Sequence, residues 1–255
     1  MNAPSADTKV VLLVGGLGTR LRSVVPDTAK PMACVGDRPF LELLLLQLRS
    51  QHFRRLVLCT GFRSRDVETR FGRGNQWHLE IEYSSEPSPL GTAGAIKFAE
   101  PLLRSSDDFM VMNGDSFMDI DLQGLLVAHR NFQGIATLAV TYQQSQMRYG
   151  TVLIGPESRV SGFIEKNVVA SSGFVNAGIY VFSSHIFDFI PSGLSSLERD
   201  VFPKILSHGV YAVEQRGIFI DIGTPEDYAR AQELGEQLYQ AASNSPARRV
   251  PGGES

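Results

Sequence analysis

Two periodicities alternate along this chain. Fully apolar or nearly apolar runs, such as VVLLV at 10–14, RLVLCT at 55–60 and DFMVMN at 108–113, are what a strand buried on both faces of a sheet requires. Between them, apolar positions recur every three or four residues, the spacing of a helix that covers a sheet with one face. PFLELLLLQLRSQ at 39–51 reads as a helix with proline in its first turn. SRDVETRF reads as a short helix, HLEIEYS as an alternating strand, and TAGAIKFAEPLL as a helix that runs until Pro101. DLQGLLVAHRNF follows as a helix with Asp121 as its N-cap, and IATLAVTY as a strand.

Repetition of strand, helix and strand argues for a single α/β domain, Rossmann-like in outline, with an open, mostly parallel mixed sheet and helices on both faces. The rhythm changes after residue 149. GTVLIGPESRVSGFIEK reads as a hairpin turning at Gly155-Pro156, and FVNAGIYVF as the next strand. SSLERDVFPKIL reads as a further helix, ahead of two short strands and a last helix over PEDYARAQELGEQLYQA. The folded domain is expected over 9–241, in two halves, 9–149 and 150–241. Residues 1–8 are polar and 242–255 contain NSPARRVPGGES, so both ends read as disordered.

Composition narrows the partners more than the fold. Apolar residues make up 43% of the 255, enough for an ordinary core. With 24 basic against 27 acidic residues the net charge is −3, which provides no global basic field for nucleic acid. A small acidic ligand held by a few placed cations fits this balance better. No run reaches the roughly 18 to 20 apolar residues of a membrane span, and MNAPSADTK lacks the apolar centre of a secretory signal. The cytoplasm is the expected compartment. Cys34 and Cys59 have no metal-like or redox-like spacing, and Cys59 reads as a small buried hydrophobe. FLELLLLQL reads as core rather than interface, which leaves the oligomeric state open, a homodimer included.

The first strand runs into LLVGGLGTRLRSVVPDTAKPM at 12–32. A glycine-rich turn in this place cradles phosphate with backbone N–H groups. The P-loop is excluded, because no GK[ST] follows the glycines. The dinucleotide fingerprint fails because Leu21 takes the place of its third glycine and VVPDTAKPM is no amphipathic helix. What remains is a different phosphate loop. Gly15, Gly16 and Gly18 let backbone amides approach a ligand closely, and Arg20 offers a planar fork of donors. Lys30 precedes Pro31, which biases its backbone to extended conformations and helps its side chain project inward. An ordinary tight turn with two solvated basic residues is the plain alternative.

Two aspartates end strands: Asp115 in DFMVMNGDS and Asp221 in GIFIDIGTPEDY, the latter followed by Gly223 and Thr224. Ligands in open α/β sheets bind beyond the carboxyl ends of strands, so both carboxylates are expected to face one crevice and hold Mg²⁺ beside substrate phosphates. Capping of the following turns is the alternative for each. His52, His78, His129, His185 and His208 show no ligand spacing, and no zinc is expected.

GGLGTRLR followed by AKPM resembles the signature of the sugar-1-phosphate nucleotidylyltransferases, GGxGTRL with a downstream PKP, although Ala29 stands where that family has proline. The likeness runs over 10–239. It implies a GT-A-like nucleotidyltransferase fold, with 9–149 as the nucleotide-binding half and 150–241 as the half that carries a small sugar-binding β subregion. It implies that Gly15, Gly16, Gly18, Thr19 and Arg20 hold a nucleoside triphosphate, that Arg20, Lys30 and Asp115 act in catalysis, and that Asp115 and Asp221 bind the metal. PLGTAGAI matches the segment that lines the nucleobase pocket in that family, which points to Gly91, Thr92 and Gly94. Gly150, Glu165, Lys166, Asn176, Gly178 and Thr224 match positions around the sugar phosphate, with EKN in place of the usual EKP. The implied reaction joins a sugar 1-phosphate to a nucleoside triphosphate and releases pyrophosphate. RSVVPDTAKPMACVGDRPFL, EPSPLGTAGAI and FIDIGTPEDY look closest to the D-glycero-α-D-manno-heptose 1-phosphate guanylyltransferases, with the mannose-1-phosphate guanylyltransferases as nearest competitors; GTP is then the nucleotide. No β-helix extension is expected after the last helix. A non-catalytic nucleotide-sugar sensor is the rival, and it predicts loss of Lys30, Asp115 or Asp221, all of which are present.

Overall fold

A computed structural model describes residues 7–16, 18–21, 23–26, 28–144, 150–164 and 172–244. In chain order the first half contains β1 (Lys9–Leu13), β2 (Cys34–Val35), β3 (Arg38–Pro39), α1 (Phe40–Ser50), β4 (Arg55–Thr60), α2 (Ser64–Phe71), β5 (Glu80–Ser85), α3 (Gly91–Phe98), α4 (Glu100–Leu103), β6 (Asp108–Asn113), β7 (Ser116–Met118), α5 (Leu122–Phe132) and β8 (Ala136–Gln143). The second half contains β9 (Thr151–Ile154), β10 (Val160–Ile164), β11 (Gly173–Ser183), α6 (Phe202–Ile205), β12 (Val210–Glu214), β13 (Phe219–Asp221), α7 (Pro225–Glu233) and α8 (Gly235–Ser243).

Nine strands form one mixed sheet in the order β10-β9-β11-β6-β1-β4-β5, with β8 added on β11 and β12 on β8. The β6-β1-β4-β5 half is parallel. Strand β11 lies antiparallel to β6, β8 and β9 and joins the two halves. Alternation along β1 explains the layering: Val10 and Leu12 pack into one core with α1, α5 and α8, and Val11 packs into the other with α3, α6 and the aromatic side chains of β11. Both faces of the sheet are therefore covered, as its fully apolar strands require.

Most expected elements fall where their patterns put them. Asp121 caps α5, its Oδ1 accepting from Gly124 N at 2.9 Å, and β9 and β10 form the antiparallel hairpin across Gly155-Pro156. Four differences have physical reasons. Pro101 does not close the helical stretch: α3 ends at Phe98, and Pro101 sits in the opening turn of α4, where its missing N–H costs nothing. SSLERDVFPKIL starts as a π-helical turn, Leu197–Val201, before α6. The last helix breaks at Leu234, so α7 reaches the β2-β3 turn while α8 packs on α1, with Ser50 Oγ donating to Ala242 O at 2.9 Å. Order also extends past the expected limits, since Thr8 and Ala242 are buried and α8 runs to Ser243; residues 1–6 and 245–255 lie outside the described residues.

Gln47 in α1 and Gln51, its C-cap, tie this helix to the segment after Asp115. Gln47 Nε2 donates to Met118 O at 2.6 Å. Gln51 Nε2 donates to Ile120 O and its Oε1 accepts from Leu122 N, each at 2.8 Å. Gln51 is buried, so Gln51→Leu would strand a carbonyl and an amide away from water. The expected cost is about 2 to 4 kcal/mol of stability, read as a lower urea midpoint at unchanged denaturant slope.

Candidate active site

The chain passes from β1 through β4 to β5 on one side, then returns to place β6 on the other side of β1. That reversal opens a crevice beyond the carboxyl ends of β1 and β6. Leu13 and Asn113 are register partners, and Gly114 N donates to Leu13 O at 2.9 Å, so the glycine loop and Asp115 leave the sheet side by side.

Asp221 arrives from 106 residues away through a small ribbon. Strand β13 pairs antiparallel with β7, placing Asp221 opposite Ser116, and Ile222 N donates to Asp115 O at 2.9 Å. Lys30 meets both carboxylates from a 3-10 turn, Lys30–Met32, which begins immediately after the loop. Its ammonium donates to Asp115 Oδ2 and lies 4.0 Å from Asp221 Oδ1. The Lys30 side chain is 12% exposed, against 35% and 27% for the aspartates, so the cation is the most deeply set of the three. Gly18 adopts φ +57, and a Cβ there would stand 3.0 Å from Lys30 Cβ; glycine at this position lets the loop close over the lysine stem.

One ammonium between two carboxylates leaves a net negative charge. Burial, and then the neighbouring Asp115 carboxylate, push Asp221 up to about 6, with Lys30 and the Gly223 amide pulling the other way. Gly223 N donates to Asp221 Oδ1 at 2.5 Å. The site is an all-oxygen donor pair with a charge deficit, which suits Mg²⁺ held by two carboxylates and completed by waters and phosphate oxygens. Among the described residues no group of three or more acidic, histidine or cysteine side chains converges on a metal position.

These residues border a cavity of about 960 Å³. Arg20, Lys30, Asp115 and Asp221 are part of its lining, as are Gly150, Asn176, Glu198, Arg199 and Thr224. Gly16 and Thr19 are exposed beside Arg20, and nothing stands over the Gly16 Cα. Asn176 Oδ1 accepts from Gly178 N at 2.9 Å and its Nδ2 donates to Tyr180 Oη at 2.8 Å. The buried Tyr180 hydroxyl in turn donates to Glu198 at 3.4 Å. Glu165 and Lys166 lie outside the described residues.

At Gly91, Thr92 and Gly94 the small residues accommodate neighbouring backbone. A Cβ at Gly91 would meet Ser195 O at 2.5 Å, and one at Gly94 would meet Gly193 O at 2.2 Å. Thr92 Oγ1 accepts from Leu197 N at 2.8 Å. Their smallness admits the backbone of 193–197, which sets the π-helical turn carrying Glu198 and Arg199. Two polar residues have no periodic signature: Glu198, which lines the cavity, and Glu86, which lies beside the glycine loop. Glu86 Oε1 would touch a Cβ added at Gly15 or Gly61, and Oε2 accepts from Leu90 N at 3.2 Å. Burial raises its pKa. Cys59 is an inert core thiol, pushed up to about 12 by burial.

A glycine-rich loop, an arginine, a carboxylate-held lysine and two neighbouring aspartates meet at a switch point of the sheet, the place where α/β folds bind ligands. The chain belongs to the nucleotidyl transferase family, whose model matches residues 9–237. It is 39% identical to a D-glycero-alpha-D-manno-heptose 1-phosphate guanylyltransferase of Aneurinibacillus thermoaerophilus, over 88% of this chain and 97% of that protein. It is 37% identical to a mannose-1-phosphate guanylyltransferase of Mycobacterium tuberculosis, over 96% of this chain and 68% of that one. Among solved structures, HddC from Yersinia pseudotuberculosis complexed with GMP-PN superposes with a TM-score of 0.80 at 32% identity, covering 89% of this chain and 99% of the other. The expected fold is thus the observed one.

The Asp221 environment makes a prediction for the protein in chelator. The folded state holds this proton up to about 6, against 3.8 for the free side chain, so the folded protein binds more protons than the unfolded chain between those values. Stability contributed by Asp221 therefore rises as pH falls through about 6 and is absent above it. Asp221→Asn should remove that rise, seen as a shrinking stability advantage of the variant over the native protein on acidification in urea melts.

Proposed function

We propose that this chain is a sugar-1-phosphate guanylyltransferase that joins GTP to D-glycero-α-D-manno-heptose 1-phosphate, giving GDP-heptose and pyrophosphate for surface polysaccharide synthesis in the cytoplasm. The observation that carries this reading is the meeting of Lys30 with Asp115 and Asp221 beside the glycine loop. The sugar phosphate needs no protein base, because its second pKa near 6 leaves it mostly ionised at pH 7. An oxygen of that phosphate attacks the α-phosphorus of GTP; the new P–O bond forms as the bond to the β-bridging oxygen breaks, and pyrophosphate leaves with the electron pair. The protein must hold two polyanions in line and neutralise them. Lys30 and Arg20 supply cationic donors for the triphosphate, and amides of Gly15, Gly16, Gly18 and Thr19 the cradle. Mg²⁺ bound by Asp115 and Asp221 would supply further charge neutralisation at the phosphates.

Residues 9–149 serve the nucleotide and 150–241 the sugar phosphate in this reading. The family likeness assigns Gly150, Glu165, Lys166, Asn176, Gly178 and Thr224 to the sugar phosphate in this reading. Guanine is favoured by Glu86, a half-buried carboxylate beside Gly15 that offers acceptors where a base would lie next to the phosphate loop. Guanine presents N1–H and N2–H donors side by side, which a carboxylate matches with two charge-assisted hydrogen bonds. Gly91, Thr92 and Gly94 act on the base pocket through the Leu90–Glu86 contact and the packing of 193–197. Heptose is favoured over mannose by the relative that matches over nearly its whole length; mannose 1-phosphate is the second reading, favoured by the mycobacterial relative.

Lys30→Met and Asp115→Asn should each lower turnover by roughly two orders of magnitude or more, the scale of lost electrostatic stabilisation, in a pyrophosphate-release assay on variants with native circular dichroism. Near-native turnover in either removes that residue from the proposed chemistry. Glu86→Gln should lower kcat/KM for GTP by about tenfold or more and that for ITP, which keeps N1–H but lacks the 2-amino donors, by clearly less. Equal losses with both nucleotides would mean that Glu86 does not read the 2-amino group of guanine.

A further inference from the structure

One face of α7 grips the chain immediately downstream of Lys30. Gln232 Nε2 donates to Cys34 O at 2.6 Å and its Oε1 accepts from Gly36 N at 2.9 Å. Tyr228 Oη donates to the same Cys34 carbonyl at 2.5 Å. Residues 228 and 232 are one helical turn apart and share a face. Together they fill both acceptor positions of that carbonyl and the amide of Gly36, which turns the β2-β3 hairpin at φ +64. The following helix extends the grip: Tyr239 Oη donates to Arg38 O at 3.3 Å, and the Arg38 guanidinium lies 5.1 Å from the centre of the Tyr239 ring.

The other end of the hairpin is the Lys30 turn itself. Ala33 N donates to Lys30 O at 3.1 Å, Met32 N to Ala29 O at 2.7 Å, and Phe40 N to Ala33 O at 2.9 Å, so the turn and the hairpin form one hydrogen-bonded unit. The first turn of α7 follows Asp221 within four residues, and Thr224 caps it by accepting from Asp227 N at 3.2 Å. One helix is thereby attached at its start to the strand that delivers Asp221 and at its end to the hairpin that delivers Lys30. Lys30 follows a glycine-rich loop, and among the described residues no side-chain hydrogen bonds on its N-terminal side compare with this clasp.

We propose that Gln232, with Tyr228, is a positioning residue that sets the Lys30 ammonium against Asp115 and Asp221. Neither side chain touches the cavity wall; each acts through the β2-β3 hairpin. This rests on the reading of Lys30 as a phosphate-binding group in the transfer reaction. The hairpin amide and carbonyl would find water if released, so the clasp serves geometry more than stability.

A double-mutant cycle tests it, with single-turnover pyrophosphate release from GTP and sugar 1-phosphate at excess enzyme as the readout. Gln232→Met keeps the length of the side chain and removes both hydrogen bonds. It should lower the rate about tenfold, the cost of a small misplacement, with KM for GTP changed less than about twofold. In the Lys30→Met background the same change should cost nothing further, because the group it positions is gone. An equal loss in both backgrounds, or a native rate for Gln232→Met, overturns the proposal. Should Gln232→Met not fold, Tyr228→Phe removes one of the two donors to Cys34 O and is read in the same cycle. A native rate for Lys30→Met alone would instead defeat the underlying reading of the site, an outcome separable from failure of the clasp.

Discussion

An ammonium shared by two carboxylates that could not otherwise stand together is the constraint around which this molecule is arranged. Burial makes an ionised carboxylate costly, and repulsion between two aspartates at close range adds to the cost. Lys30 offsets part of it, and the remainder appears as an Asp221 carboxyl pushed up to about 6. Each partner comes from a different part of the chain: Lys30 from the turn after the glycine loop, Asp115 from the end of β6, Asp221 from the β7-β13 ribbon. A charge deficit of this kind is a poor way to stabilise a fold and a good way to recruit a divalent cation and the phosphates it accompanies.

The rest of the structure supplies rigidity to that cluster. The parallel half of the sheet, buried on both faces, fixes the ends of β1 and β6 as a floor. Gln47 and Gln51 hold the backbone that leads away from Asp115, and α7 spans from the Asp221 strand to the Lys30 hairpin. Antiparallel β11 carries Asn176 and Tyr180 to the opposite wall, where a chain of hydrogen bonds reaches Glu198. A membership in the nucleotidyl transferase family and this geometry support one another, since the family match covers the same residues that converge on the cavity.

Much of this was readable from residue pattern alone, for physical reasons. Strands such as RLVLCT and DFMVMN announce themselves because burial on both faces excludes polar side chains. Asp115 and Asp221 were legible as strand-ending acids, and Lys30 by its proline. What pattern could not show was non-local. The three-residue strand β7 is too short for a periodic signal, and its pairing with β13 spans about 100 residues of chain. Nothing in the pattern around Gly91 and Gly94 shows that the carbonyls of Ser195 and Gly193 close on them. Glu86, Glu198 and Gln232 resemble ordinary loop or surface polar residues until tertiary structure gives them partners. Pro101 and Gly235 mark real breaks, but proline opens the next turn and a second helix follows each, because packing outweighs local propensity.

Pyrophosphate release in Mg²⁺ and GTP, compared between D-glycero-α-D-manno-heptose 1-phosphate and mannose 1-phosphate, decides most directly whether this site performs guanylyl transfer and for which sugar. Fast release with the heptose and slow release with mannose is the result the proposal predicts. Release with mannose alone would keep the chemistry and change the sugar. Silence with both sugars, in GTP and in each of the other three nucleoside triphosphates, would contradict transfer altogether and leave a protein that binds nucleotide sugar without making it.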